Sequence, residues 1–162
     1  MASGKSTVGR ALAARLGIDF CDLDDLFVQR TGQQIADYFA TAGEASFREK
    51  ESELLTEVSA RTNFVVSTGG GTPCREQNLK TMLNSGRVFF LDVPADELSR
   101  RLLPEKMLRP LIRNVKNEEL ELFVQSHLEE RWYYYNQAHF KVMANQPPDK
   151  VVDAIVELLT KR

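Results

Sequence analysis

Apolar positions along the chain switch repeatedly between helical and strand-like spacing. Val8, Leu12 and Leu16 recur at helical intervals within 7–16 and stop at Gly17, which predicts a helix with a glycine at its carboxyl end. A short apolar run, 18–21, follows and delivers Asp22-Leu23-Asp24-Asp25. Helical spacing returns up to Arg30 and ends at Thr31-Gly32, then again over 33–41. From Gly43 a longer helix is predicted, with Phe47, Glu51, Leu54, Leu55 and Val58 on one face. Phe64-Val65-Val66 reads as a buried strand that runs into Gly69-Gly70-Gly71.

The second half repeats the alternation. A helix is predicted over 75–83, stopping at Gly86, and a buried strand over 88–93. Pro94 stands where a first-turn proline would open the next helix. Residues 107–117 mix Arg, Pro, Asn and Lys without a period, as a mobile loop would. One helix is expected over 118–138, a last strand over 140–143, and an amphipathic helix over 151–159 after the Asn145-Gln146-Pro147-Pro148 turn. Strands alternating with helices indicate a parallel sheet covered on both faces.

The length of 162 residues suits one domain, and a hydrophobic share of 43% suffices for a core. Lys and Arg total 21 against 23 Asp and Glu, a net charge of -2. That balance argues against nucleic-acid and membrane-surface partners, which lean on a basic field. Any anionic ligand must then be met by local basic residues. The two cysteines, Cys21 and Cys74, form neither a disulfide framework nor a zinc signature, so a reducing cytoplasm is expected. The first residues carry no signal peptide, and no run approaches the ~20 apolar residues of a membrane span.

Gly4-Lys5-Ser6-Thr7 at a helix start is the second half of a P-loop, G-x-x-x-x-G-K-[ST]. In such a loop backbone N–H groups and the helix dipole receive phosphate, so Ala2, Ser3, Gly4, Lys5, Ser6 and Thr7 are candidate nucleotide ligands. Lys5 would reach the β- and γ-phosphates and Ser6 would ligate Mg²⁺. Asp22 and Asp24 fall at a strand's carboxyl end, where α/β ligand sites lie. Two carboxylates there can hold a metal ion and accept a hydroxyl proton. Asp25 reads as the cap of the helix that follows.

Three further stretches carry a family resemblance. Gly43-Glu44-Ala45-Ser46-Phe47-Arg48-Glu49-Lys50-Glu51 resembles the G-E-x-x-F-R-x-x-E segment of shikimate kinases. Ser67-Thr68-Gly69-Gly70-Gly71 resembles their glycine-rich strand end, and Arg109-Pro110-Leu111-Ile112 their R-P-L-L lid. With Asp22-x-Asp24 and the partial P-loop, the matches cover most of the chain in the family's order.

The resemblance implies transfer of the γ-phosphoryl of MgATP to the 3-hydroxyl of shikimate, in aromatic amino-acid biosynthesis. It implies that Arg48 and Arg131 hold the carboxylate, a pairing arginine's planar fork suits. Asp24 would take ring hydroxyls and assist deprotonation, Gly69, Gly70 and Gly71 would admit the ligand to the backbone, and Phe47 would wall the ring. Glu51, one turn from Arg48, would orient its guanidinium. Arg109 would stabilise charge on the transferring phosphate as the lid excludes water, and Asp22 would hold Mg²⁺. Arg101 and the turn containing Gln146 are candidates for the adenine end.

Trp132-Tyr133-Tyr134-Tyr135 reads as helix packing and a rim contact, and His127 and His139 as non-catalytic. Two rivals compete with this reading: another small-molecule P-loop kinase, of gluconate or nucleoside-monophosphate type, and an inactive ligand-binding module of the same family. The F-R-x-x-E, G-G-G and R-P-L combination argues against the first; Lys5, Ser6, Asp22, Asp24 and Arg109 argue against the second.

The implied architecture is a monomeric three-layer α/β/α P-loop sandwich spanning 1–162, with a parallel sheet of order 2-3-1-4-5. Its substrate-binding segment would cover about 24–61 and its lid 107–117. The first strand of that order and the first P-loop glycine would both precede Met1, and Ala2 stands where the family commonly has glycine. The expectation is therefore a chain lacking roughly ten residues, one strand plus the glycine.

Overall fold

A computed structural model describes residues 2–109 and 111–161. Helix α1 (Lys5–Leu16) ends at Gly17, whose left-handed backbone donates its N–H to Ala13 and Ala14 carbonyls. Strand β1 (Asp19–Asp22) leads straight into α2 (Leu23–Thr31), and α3 (Ile35–Ser59) follows. Gly43 breaks α3 with φ 80° and ψ 168°, separating the two helical stretches where the pattern placed the boundary. Strand β2 (Phe64–Ser67), α4 (Glu76–Ser85), β3 (Phe89–Asp92) and α5 (Ala95–Leu102) continue the alternation. Helices α6 (Leu120–Glu129) and α7 (Trp132–Tyr135), strand β4 (Phe140–Met143) and α8 (Pro148–Thr160) complete it.

Three boundaries differ from expectation. Pro94 is the cap of α5 rather than its first residue. The single helix expected over 118–138 is interrupted at Arg131, which separates α6 from α7. The segment read as a loop is largely short turns, a 3-10 turn over Leu103–Leu108 and another over Asn117–Glu119. Ile112 anchors it, fully buried against Leu102, Leu120 and Val124 in the larger apolar cluster. Pro110 of the lid lies outside the described residues.

All strand pairing is parallel. β1 pairs with β2 in the register Asp19 to Phe64 through Asp22 to Ser67, and β3 with β4 from Phe89–Phe140 to Asp92–Met143. Helices cover both faces, because successive β2 residues point to opposite sides. Val65 packs against the cluster of Val8, Leu12, Val152 and Ile155, whereas Val66 packs against Leu54, Leu55 and Val58. The result is a three-layer α/β/α arrangement.

Among the described residues β2 and β3 do not pair with each other. A cleft of about 380 Å³ separates them, lined by Val65, Ser67, Phe89, Leu91, Val8 and Leu12. The pairs β1–β2 and β3–β4 match the 2-3 and 4-5 neighbours of the expected order, and the cleft lies between them. This corrects the reading of 64–66 and 88–93 as buried strands: β3 is half-buried throughout, and so is β2 except at Ser67. Two-stranded ladders are marginal by themselves, so α1, packed on β2 and on α8, does much to hold the halves together.

If the cleft is a strand-shaped void, filling it should stabilise the fold. An apolar segment of about five residues joined ahead of Met1 should raise Tm by about 5 °C or more over a Gly/Ser segment of equal length. Equal melting curves would show that solvent already satisfies both edges.

Candidate functional site

The phosphate loop is shaped by backbone conformation. Gly4 precedes α1 at φ 83°, and Ala2 is held at φ 50°. Left-handed backbone costs a non-glycine residue about 1–2 kcal/mol, which explains why glycine suits the Ala2 position. Lys5 Nζ lies 3.4 Å from Ser3 Oγ. Burial pushes the Lys5 ammonium below its ordinary pKa, opposed by the Asp24 and Asp22 carboxylates, while Arg109 and Arg131 add to the lowering. Four candidate charges therefore act on this lysine. Thr7 is exposed in the first turn of α1.

Arg101 secures the loop from outside. Its guanidinium donates to the carbonyls of Ala2 (3.5 Å) and Ala144 (3.2 Å) and to Glu97 Oε1 (2.7 Å). Hydrogen bonds from Arg100 and Arg101 hold Glu97 down to about 2. Arg101 is thereby committed to protein acceptors, and it brings the turn with Gln146 beside the phosphate loop. Gln146 itself donates to the Met143 carbonyl at 3.2 Å.

Asp22 closes β1 and caps α2. Its Oδ1 accepts the Asp24 N–H at 3.0 Å, and its Oδ2 accepts the Ser6 hydroxyl at 2.5 Å. The expectation that Asp25 caps this helix is corrected: Asp25 sits in the first turn and pairs with Arg10 at 3.1 Å. Capping and metal holding are compatible in one carboxylate, since Asp22 presents an oxygen next to a hydroxyl. One hydroxyl and one carboxylate fit Mg²⁺, which keeps several waters and takes its remaining ligands from substrate phosphates. They do not make a protein cage, and no cluster of three or more His, Cys, Asp or Glu suited to a metal occurs among the described residues.

Asp24 is exposed to solvent, with its Oδ1 beside Gly69. Burial raises its pKa, reinforced by Asp22 and Glu51 and opposed by Lys5. A carboxylate so placed is a better proton acceptor than an ordinary aspartate. Burial thus displaces both Asp24 and Lys5 toward neutrality, while each opposes the shift of the other.

The second half of the site hangs on Glu51. This carboxylate is 3% exposed, accepting Arg48 Nη1 at 2.9 Å and the Thr72 hydroxyl at 2.7 Å. Thr72 is fully buried, and its carbonyl accepts the Asn78 amide at 3.0 Å. Arg48 lies against Gly71 so closely that a Cβ there would be 2.8 Å from both Nη atoms. A Cβ on Gly69 would stand 3.3 Å from Glu51 Oε1 and 3.5 Å from Asp24 Oδ1, which places both carboxylates beside the glycine turn. Phe47 corrects the expected apolar wall. It is 5% exposed and packed against Phe27 and Phe39, so it belongs to the core, with the Arg48 guanidinium 5.1 Å over its ring.

Arg131 stands at the break between α6 and α7, and its charge reaches Lys5, Cys74 and Tyr135. Arg109 is ion-paired with Glu105 at 2.6 Å, and its buried Nε has no hydrogen-bond partner among the described residues. The fold thus gathers Lys5, Asp22, Asp24, Arg48, Arg131 and the glycine turn, while Glu105 engages Arg109.

Three residues escaped sequence reasoning: Thr72, Asn78 and Tyr135. Tyr135 donates to the Gly70 carbonyl at 2.8 Å from 65 residues further along the chain. Its spacing of four from Arg131, one helical turn, was the available signal. Thr72 and Asn78 are ordinary polar residues in sequence and become conspicuous only by being buried.

The family model for shikimate kinase matches residues 1–160. The shikimate kinase of Bacteroides thetaiotaomicron is 39% identical over 150 residues, covering 93% of this chain and 86% of that protein. Its Aquifex aeolicus counterpart is 39% identical over 156 residues, 96% of this chain and 89% of that one. The crystal structure of the Bacteroides thetaiotaomicron shikimate kinase matches with TM-score 0.91 at 37% identity, covering 98% of this chain and 93% of that chain. Shikimate kinase from Acinetobacter baumannii in complex with shikimate matches with TM-score 0.89 at 33% identity, covering 98% and 88%.

The raised pKa of Asp24 has a stability consequence. An acid whose folded pKa exceeds its unfolded value binds its proton more tightly when folded, so stability falls as pH rises from the unfolded value through the folded one. Asp24→Asn should therefore raise Tm at pH 7, with the gain shrinking toward pH 3, while phosphoryl transfer falls by about a hundredfold or more. Parallel melting and turnover assays check both; a lower Tm at pH 7 would mean the ionised form is net favourable.

Proposed function

This chain belongs to the shikimate kinase family, and on that premise we propose how its residues divide the transfer of the γ-phosphoryl group of ATP to the 3-hydroxyl of shikimate. Gly4, the α1 amino terminus and Lys5 receive the β- and γ-phosphates. Mg²⁺, held by Ser6 and Asp22, would neutralise phosphate charge. Arg48 and Arg131 hold the shikimate carboxylate, and Gly69, Gly70 and Gly71 let the ring approach the backbone. Asp24 accepts the proton of the attacking hydroxyl at a carboxylate oxygen. Arg109 moves from Glu105 to the transferring phosphate, where it stabilises the charge spread over its oxygens.

The observation that supports this division best is the convergence at the glycine turn. Asp24, Glu51 and, through Glu51, Arg48 meet there, and the Asp24 charge acts on Lys5. A phosphate receptor and a carboxylate receptor are thereby separated by one proton acceptor, which is what phosphorylation of a small hydroxy acid needs. In this reading the chain works as a monomer in a reducing cytoplasm, in keeping with its two free cysteines.

Purified protein with ATP and Mg²⁺ should release ADP on addition of shikimate. Faster turnover with gluconate or a nucleoside monophosphate would overturn the reading. Arg109→Ala should lower kcat by about a thousandfold with little change in shikimate affinity; loss of affinity at unchanged kcat would move Arg109 to a binding role.

A further inference from the structure

Tyr135 ends α7, and its hydroxyl donates to the Gly70 carbonyl at 2.8 Å. Its ring stacks on Phe90 of β3, with centroids 5.0 Å apart and planes 24° apart. The sheet therefore backs the phenol, whose hydroxyl donates to Gly70 and is in turn engaged by the Arg131 guanidinium. Burial raises the Tyr135 pKa, with Arg131 opposing, so the hydroxyl stays protonated and able to donate well above neutral pH.

The Gly70 carbonyl belongs to the peptide unit it shares with Gly71. No cis peptide occurs among the described residues, and in a trans peptide C=O and N–H point in opposite directions. Holding the carbonyl toward Tyr135 therefore turns the Gly71 N–H away from it. Among the described residues no protein acceptor takes that N–H. The neighbouring carbonyls are otherwise engaged: Gly69 accepts from Thr72 N–H at 3.2 Å, and Gly71 from Cys74 N–H at 3.0 Å.

Consecutive glycines put little steric limit on the orientation of the peptide between them. Flanking bonds on Gly69 and Gly71 do not fix the 70–71 plane, so an external anchor is needed. Among the described residues, that carbonyl has besides the Tyr135 hydroxyl only the Cys74 thiol at 3.7 Å, a weak donor.

We propose that Tyr135 is a positioning residue for the acceptor site: through its bond to the Gly70 carbonyl it fixes the Gly70–Gly71 peptide so that the Gly71 N–H is presented to bound shikimate beside Arg48. The role rests on the assignment of the glycine turn to shikimate binding. Tyr135 does not touch the reacting atoms, so its effect belongs in acceptor binding rather than in chemistry.

Tyr135→Phe keeps the stack on Phe90 and removes the hydroxyl that both Gly70 and Arg131 engage. Steady-state kinetics of the purified protein should show KM for shikimate raised roughly fivefold or more, the worth of one hydrogen bond. KM for ATP and kcat should change by less than about twofold on the same reasoning. Amide hydrogen exchange in the glycine turn should quicken in the variant without shikimate and recover partly when shikimate is bound. An unchanged KM for shikimate, a raised KM with unchanged exchange in the glycine turn, or equal rises in both KM values with a lowered Tm, would overturn the proposal while wild-type turnover upheld the shikimate assignment. Absence of shikimate-dependent turnover in the wild type would overturn that assignment and the proposal with it.

Discussion

The buried Glu51 carboxylate is the interaction on which the acceptor half of the site depends. Taking a carboxylate out of water is tolerable only when both oxygens find strong donors, and Glu51 finds the Arg48 guanidinium and the Thr72 hydroxyl. Because these partners lie on α3 and on the turn after β2, one ion ties a helix to a glycine loop across 21 residues of sequence. Removing one partner of such a buried pair typically costs about 3–5 kcal/mol. The glycine at position 71 follows from the same constraint, since the guanidinium occupies the volume its side chain would need.

The nucleotide half is organised on a different principle. There the backbone does the shaping, through the left-handed Gly4 and the free N–H groups of the α1 amino terminus, and the side chains set the charge. Lys5 and Asp24 sit in the same partly desolvated space and are each displaced toward neutrality by burial. Arrival of phosphate would relieve the lysine by supplying an anion. A raised Asp24 pKa meanwhile keeps that carboxylate basic enough to take a proton. Glu105 occupies Arg109 in this structure, so the proposed move of Arg109 to phosphate would exchange one anionic partner for another.

Much of this was legible in the sequence, and the failures share a cause. Helical period and the Gly17 cap located α1, and the Asp22-x-Asp24 pair located the carboxylates, because both signals are local. Phe47 was misread because its motif position says nothing about the aromatic cluster of Phe27 and Phe39 that encloses it. The division of α6 from α7 at Arg131 left no mark, since apolar spacing continues across it without glycine or proline. Tyr135 was read as packing, and it does pack on Phe90. Its hydrogen bond to Gly70 spans 65 residues and is visible only in three dimensions. The strands β2 and β3 were recognised as strands, but their half-burial depends on the cleft between them, which no local pattern encodes.

The claim that a buried carboxylate organises the acceptor site is tested most directly by titration calorimetry of Glu51→Gln with shikimate and, separately, with ATP. The amide keeps the shape and removes the charge that holds Arg48. Shikimate affinity should fall about tenfold or more, as expected for a lost charge-assisted contact, while ATP affinity stays within about twofold because the α1 loop is untouched. Shikimate binding as tight as in the wild type would contradict the account.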